Sequence, residues 1–331
     1  MTVPCRVAVV GGGRNCEHDV SIASAKAIAA ALDPTHNVVA LTIGRDGVWL
    51  DPDHRPLGST PADSLAGAVR VLDTCDVLLP VVHGPLGEDG TLAGLAALAG
   101  IRCAGSGLTA GAVGMDKWLT KVVAAEAGIR TARAVLVRVD EAGVCRPGLD
   151  KLCAEIGTDV VVKPVSAGSS YGVAAARTHE QLHAAVSVAA GYDSRVLVEE
   201  RLIGREVDIA VMRTASGELI VSAPLEIVAA QPDSPIFDTT TKYDGSARFL
   251  VPAPMTAAEF QQLRELAVRV FETLGCAGVA RIDFFRTDIG WVLNEINTMP
   301  GMTEHSQVPR MFAALGVTYP DLLAELVAAA T

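Results

Sequence analysis

Aromatic side chains are scarce in this chain: Phe, Tyr and Trp make up 4% of 331 residues, so its cores must be aliphatic. No segment approaches the about 18 consecutive apolar residues of a transmembrane helix, which excludes one. After the single early Arg6, only Val7–Val10 precede three glycines, too short an apolar run for a secretory signal. The seven cysteines are odd in number, scattered and without a C-x-x-C pair. Neither a disulfide framework nor a zinc site fits them, and a reducing cytoplasm is expected. Positive charge is in deficit. A net charge of −11 argues against broad nucleic-acid or anionic-membrane binding, yet leaves room for a local cationic pocket for phosphate. No internal repeat is visible. What is present is half hydrophobic, with 31 glycines and long Ala and Val runs, the composition of a compact α/β protein. At about 150 residues per domain, the length predicts two or three domains, each able to bury a core.

Strand and helix signals alternate over the first hundred residues. Arg6–Val10 reads as a strand, Ser21–Leu32 as an Ala-rich helix, Asn37–Ile43 and Asp76–Val82 as strands, and Gly90–Ala99 as a helix. That alternation predicts a parallel sheet with right-handed crossovers, whose ligands sit beyond the carboxyl ends of strands. Those ends carry Gly11–Glu17 and His83–Asp89. Glycine and serine around Gly105–Gly107 mark a hinge. Beyond it, Lys117–Ala127 is a predicted helix, and Ala134–Arg138, Val160–Lys163 and Arg195–Glu199 are predicted strands. Val207–Met212 and Leu219–Ile227 follow as strands, then a helix over Ala257–Leu274 and a terminal hairpin. Gln231–Arg248, with two prolines, one glycine and no period, is a loop of a length that is usually functional or disordered.

The hairpin is the most informative segment. Ala280–Thr287 and Trp291–Asn297 flank Asp288-Ile289-Gly290, and three-residue hairpin loops favour glycine at the left-handed position. With Thr287 facing Trp291, Asp283 faces Glu295 and Arg281 faces Asn297, all on one side of the sheet. Two carboxylates, a carboxamide and an arginine suit Mg²⁺ bridging phosphate oxygens; the alternative is a solvated hairpin with one ordinary ion pair. A two-residue turn would break this register. Lys163, six residues before Ser169, can reach phosphates beneath the loop Ala167–Gly172, or the loop is a plain flexible turn. It is not a P-loop, because no Gly-Lys-Ser/Thr stands at the required spacing. Gly11-x-Gly13 opens like a dinucleotide fingerprint, but Cys16 replaces the third glycine, which disfavours a dehydrogenase. Glu17 either grips a substrate ammonium or favours the helix N-terminus. His83 is a structural histidine or a catalyst, and Glu88 and Asp89 are caps or ligands.

Taken in order, these residues resemble the D-alanine–D-alanine ligase family of the ATP-grasp superfamily. The marks are Glu17-His-Asp-Val-Ser21, His83-Gly-Pro-Leu-Gly-Glu-Asp-Gly90, Gly105-Ser-Gly107, Met115-Asp-Lys117, Lys163-Pro and Gly168-Ser-Ser-Tyr-Gly172. They continue through Glu199-Glu-Arg-Leu202, Gly204-Arg-Glu206, Lys242-Tyr243, Arg281-Ile-Asp283, and Asn294-Glu-Ile-Asn-Thr-Met-Pro-Gly301 into His305-Ser306. The resemblance implies a three-domain ATP-grasp architecture: a Rossmann-like parallel-sheet domain (1–105), a central domain (106–199) and a C-terminal domain (200–331) carrying the hairpin and a lid loop. It implies that Lys117, Lys163, Glu199, Leu202 and Glu206 hold ATP and that Ser169 and Ser170 cover its phosphates. Asp283, Glu295 and Asn297 match ligands of two Mg²⁺ ions, with Mn²⁺ a possible substitute. Glu17 matches the anchor of the first D-alanine, with His83 nearby. Lys242, Gly301 and Ser306, with Gln307 beside them, match the second D-alanine's site, and Arg281, Tyr243 and Ser169 the catalytic groups. The implied reaction forms D-alanyl-D-alanine through an acyl phosphate, for peptidoglycan precursors, in a cytoplasmic homodimer. The chain departs from relatives at Ala93, Ala167 and Thr239–Thr241, and most of all at Glu304 and Gln307, which flank His305-Ser306. Those last departures point to the alternative of a related ligase with another acceptor.

Overall fold

The computed structural model describes residues 4–228 and 248–330. Lys242, Tyr243, Thr239–Thr241 and all of the expected lid Gln231–Arg248 except Arg248 lie outside the described residues.

The first sheet has the order β3-β2-β1-β4, from β1 (Arg6–Gly12), β2 (Asn37–Ile43), β3 (Trp49–Leu50) and β4 (Val77–Pro80). β1 runs parallel to both β2 and β4, as the alternation predicted, while β3 returns antiparallel to β2. Val7–Val10 are wholly buried, as befits a central parallel strand covered on both faces. Their alternation divides two cores. Ala8 and Val10 face α2 (Pro61–Leu72) and α3 (Thr91–Leu98), whereas Val7 and Val9 face α1 (His18–Leu32). On that second face also pack α9 (Gln307–Ala313) and α10 (Tyr319–Ala328), so the end of the chain closes the first sheet. The tight strand-to-helix turn after β1 needs its glycine: a Cβ on Gly12 (φ +90°) would lie 2.2 Å from the Ile43 carbonyl oxygen.

The second sheet is antiparallel, in the order β6-β5-β9-β7-β8. Its strands are β5 (Ala134–Val139), β6 (Cys145–Arg146), β7 (Val160–Pro164), β8 (Ala174–Ala176) and β9 (Arg195–Glu200). It buries aliphatic side chains under α6 (Leu149–Ile156) and α7 (His179–Ala190). The third sheet, also antiparallel, has the order β13-β12-β10-β14-β15, with β11 beside β10. It comprises β10 (Arg205–Arg213), β11 (Leu219–Val221), β12 (Leu225–Val228), β13 (Arg248–Leu250), β14 (Val279–Thr287) and β15 (Gly290–Asn297). The helix α8 (Ala257–Thr273) begins with a capping box between Thr256 and Glu259 and buries Leu263, Ala267, Val270 and Phe271 at helical spacing against this sheet. Onto it also fold α4 (Leu108–Met115) and α5 (Lys117–Glu126).

Three details correct the sequence expectations. The single strand expected over Leu219–Ile227 is broken, because Pro224 has no N–H to give a ladder and the Ser222 hydroxyl accepts from the Ala210 N–H at 2.9 Å. The strand expected over Asp76–Val82 is shorter and ends at Pro80. The terminal hairpin turns in two residues, since Thr287 pairs with Gly290 and Arg286 with Trp291. A β-bulge then supplies the missing residue: Phe284 faces Leu293, Asp283 faces Glu295, and Asn294 is the extra residue between. The expected pairs Asp283–Glu295 and Arg281–Asn297 therefore form on a different turn.

Candidate active site

A cleft of about 560 Å³ opens between the second and third sheets. Its lining includes Lys117, Lys163, Ser169, Ser170, Glu199, Leu202 and Glu206, which the sequence placed together, and also Glu295 and Asn297 from β15. Regular elements present most of them, and the loops after β7 and β9 carry Ser169, Ser170 and Leu202. Lys117 opens α5, Lys163 and Glu199 stand on neighbouring strands β7 and β9, and Glu295 follows the bulge.

The floor of the cleft is a buried cation–carboxylate cluster. Lys163 Nζ pairs with Glu199 Oε1 and also donates to Asn294 Oδ1 at 3.0 Å. Lys121 Nζ lies 2.9 Å from the other Glu199 oxygen. Burial alone would raise the Glu199 carboxyl, but Lys163 and Lys121 outweigh it and hold the group at about 2. The sequence reading missed Lys121. Its signal was available: it stands four residues after Lys117 on one helix, so the two ammonium groups share a face. We expect Lys121→Met to raise the KM for ATP about tenfold, since freeing one carboxylate oxygen costs on the order of 1.4 kcal/mol. Initial-rate titrations with ATP check this, and an unchanged KM would remove Lys121 from the site.

Ser169 and Ser170 both hold left-handed backbone, at φ +48° and +58°. Successive non-glycine residues there are costly and persist only where neighbours impose them. Two neighbours do so: Lys117 Nζ donates to the Ala167 carbonyl at 2.8 Å, and the Ser169 hydroxyl donates to Glu17 Oε1. Glu17 is the N-cap residue of α1, but its side chain makes no capping hydrogen bond. It turns into the site, 7% exposed, and Oε2 has no hydrogen-bond partner among the described residues. Glycine at 84 and 168 makes room, since a Cβ on either would lie within 2.5 Å of that oxygen.

His83 is buried beside it. Nδ1 lies 2.9 Å from the Met299 carbonyl, which only accepts, so Nδ1 carries the hydrogen and Nε2 takes the Ser24 hydroxyl at 3.1 Å. Burial lowers its pKa below the ordinary histidine value, despite Glu17 nearby. The ring thus links the end of the first sheet to the loop that carries Gly301. Asp89 is a turn and cap residue, accepting from the Leu86 and Thr91 N–H groups. Glu88 instead lines the cleft, and burial, followed by repulsion from Glu17, pushes its carboxyl up to about 7.

Arg281 grips Asp283 through Nε and Nη2, each 2.7 Å from a carboxylate oxygen, and Asn297 Nδ2 donates to Asp283 Oδ2 at 3.1 Å. Asp283 is 3% exposed and sits behind Glu295 and Asn297, off the cleft's lining. Among the described residues, no three His, Cys, Asp or Glu side chains close a metal cage on their own. The donor set of Asp283, Glu295 and the Asn297 carboxamide is all oxygen, with Glu295 and Asn297 lining the cleft and Asp283 directly behind them. It therefore fits Mg²⁺ ions that complete their shells with phosphate oxygens and water. On the far side, a Cβ on Gly301 would touch the Ser306 hydroxyl at 3.4 Å, and that hydroxyl accepts from the Thr303 N–H at 3.0 Å. Gln307 follows at once, and both ends of its carboxamide are engaged within the protein.

Two antiparallel sheets clasping a cleft lined with lysines and carboxylates, preceded by a parallel-sheet domain, define an ATP-grasp enzyme. Family models described as D-ala D-ala ligase N-terminus and D-ala D-ala ligase C-terminus match residues 6–106 and 123–328, and the chain belongs to the D-alanine–D-alanine ligase family. It is 41% identical to the D-alanine–D-alanine ligase of Mycolicibacterium smegmatis, over 97% of this chain and 94% of that one. The corresponding ligase of Mycobacterium bovis is 40% identical over the same shares. Among solved structures, the VanG D-Ala:D-Ser ligase of Enterococcus faecalis superposes with a TM-score of 0.83 at 30% identity, covering 99% of this chain and 100% of that one. The D-alanine-D-alanine ligase of Coxiella burnetii gives 0.81 at 29%, covering 99% and 94%.

Proposed function

We propose that this chain joins two D-alanines at the expense of ATP, giving D-alanyl-D-alanine, ADP and phosphate for peptidoglycan precursors. One observation carries the reading. Glu17, a buried carboxylate with one oxygen unpartnered among the described residues, is hydrogen-bonded to Ser169 in the loop that borders the nucleotide-sized cleft. An amino acid whose ammonium met that oxygen would lie against the phosphate-covering loop, where its carboxylate can be phosphorylated.

A carboxylate is a poor electrophile, and transfer of phosphate from ATP to it creates an acyl phosphate that an amine can attack. In this reading Lys117 and Lys163 hold ATP phosphates, Glu199, Leu202 and Glu206 hold the nucleoside, and Ser169 and Ser170 cover the phosphates. Asp283, Glu295 and Asn297 would hold Mg²⁺, which would supply charge neutralisation at the transferring phosphate. Arg281 stabilises charge on the reacting oxygens, and Gly301 and Ser306 hold the second D-alanine. His83 fixes the loop on which Gly301 sits. Lys242, Tyr243 and the lid segment belong to the same proposal: Lys242 on the acceptor, Tyr243 orienting it, and Gln231–Arg248 excluding water. So do two metal ions replaceable by Mn²⁺, domain boundaries near 105 and 199, a homodimer and a cytoplasmic location. The seven cysteines, all free, support the last. No described helix is long and apolar enough to cross a membrane.

The test is mass spectrometry of products from ATP, Mg²⁺ and D-alanine alone, with parallel reactions containing D-serine or D-lactate. D-alanyl-D-alanine with equimolar ADP is expected. ADP formed only when another acceptor is supplied would overturn D-alanine as the second substrate.

A further inference from the structure

We propose that Gln307 is a positioning residue for Arg281: its carboxamide clips the guanidinium to the buried Asp208 of β10. The inference rests on the ligase reading of the site and adds two residues to it.

Asp208 has no solvent exposure, and the ladder of the third sheet sets it directly across from Asp283. Arg281, two residues before Asp283 on β14, lies on the same face as both. Its Nε and Nη2 are committed to the two Asp283 oxygens, and Nε also lies 3.6 Å from Asp208 Oδ2. Nη1 is left outside this fork and donates to Gln307 Oε1 at 2.7 Å. The other end of the same carboxamide, Nε2, donates to Asp208 Oδ2 at 3.0 Å.

The choice of residue follows from the partners. A guanidinium only donates and an ionised carboxylate only accepts, so a bridge between them must accept at one end and donate at the other. Glutamine does both. Glutamate would set an acceptor against Asp208, and methionine would offer neither bond. Of the five N–H groups on Arg281, three are now fixed, and the remaining two are what it can offer to a developing negative charge. Gln307 is also the first residue of α9 and follows Ser306, so the same short segment sets both the acceptor contact and the guanidinium. The ATP-lining residues lie elsewhere on the cleft, which predicts an effect on the chemical step without one on nucleotide binding.

The experiment compares Gln307→Met and Gln307→Glu with the parent in steady-state kinetics, using the D-amino acid the parent turns over best. We expect kcat to fall at least tenfold in both variants with the KM for ATP within about twofold of the parent. A merely structural role would lower thermal stability and leave that split unmoved. Unchanged kcat in both variants would overturn the proposal, as would unchanged kcat with a raised acceptor KM, which would make Gln307 a substrate contact. A crystal structure of Gln307→Met supplies a readout independent of turnover: Arg281 superposing on its parent position would also overturn it. A parent inactive with every D-amino acid would count against the ligase reading alone, and the crystallographic comparison would still decide the role of Gln307.

Discussion

Glu295→Gln is expected to lower kcat at least about a hundredfold, the scale of losing one preorganised stabiliser of transition-state charge. The reason lies in how charge is shared on the hairpin face. Both oxygens of Asp283 are already occupied by the Arg281 fork, and Asn297 donates to one of them. Asp283 therefore sits behind the cleft as a largely neutralised pair. Glu295 lines the cleft directly, with the Lys117 ammonium 3.8 Å away, so its charge is the one most available to a divalent ion. The glutamine isostere keeps the volume and one acceptor oxygen while removing that charge. A Mg²⁺ titration of turnover should then show a raised half-saturating concentration as well as the lower plateau. The circular dichroism spectrum should match the parent, since the side chain borders solvent. Turnover within about threefold of the parent at saturating Mg²⁺ would sink the metal assignment.

The same hairpin shows how far the sequence could be read. Counting back from Thr287 facing Trp291 placed Asp283 opposite Glu295, but across a three-residue loop that does not exist. The correct pairing survives because the bulge at Asn294 adds on β15 the residue that the shorter turn removes. Period-two reasoning counts residues along a strand and has no term for an extra one. Asn294 carried the available hint: it and Glu295 are two consecutive polar residues, which breaks the alternation, and its side chain is now found accepting from Lys163. Asp208 was invisible for a related reason. It sits inside a strand read as pure core, and only the ladder to β14 shows that its neighbours are Arg281 and Asp283. The cleft-lining residues were legible through strand ends and loop glycines together with the family resemblance, because elements present them in fixed order. The hydrogen bonds that join distant segments, Glu17 to Ser169 and His83 to Met299, are properties of the folded chain, and spacing along the sequence does not encode them.

The largest effect is expected at Glu17. Glu17→Gln should reduce kcat/KM for the first D-alanine by about 10²–10⁴, mostly through KM, which corresponds to about 3–5 kcal/mol for breaking a buried ion pair on one side. The side chain is buried, one oxygen is held by the Ser169 hydroxyl, and the other has no hydrogen-bond partner among the described residues. An unpartnered buried carboxylate oxygen is unfavourable for the empty enzyme, and a substrate ammonium is the group that would satisfy it. Glycine at positions 84 and 168 leaves the approach to that oxygen free of Cβ atoms. In the glutamine variant, the carboxamide oxygen can still accept from Ser169, so the loop with its left-handed Ser169 and Ser170 keeps its anchor. What changes is the other end, where an NH₂ group would face the ammonium donor to donor. ATP binding should be preserved, and isothermal titration with a non-hydrolysable ATP analogue checks that point. Steady-state kinetics over a wide D-alanine range then isolates the first substrate's KM. Parent-like kcat/KM would remove Glu17 as the ammonium anchor, and loss of nucleotide binding along with activity would make it a strut for the phosphate loop instead.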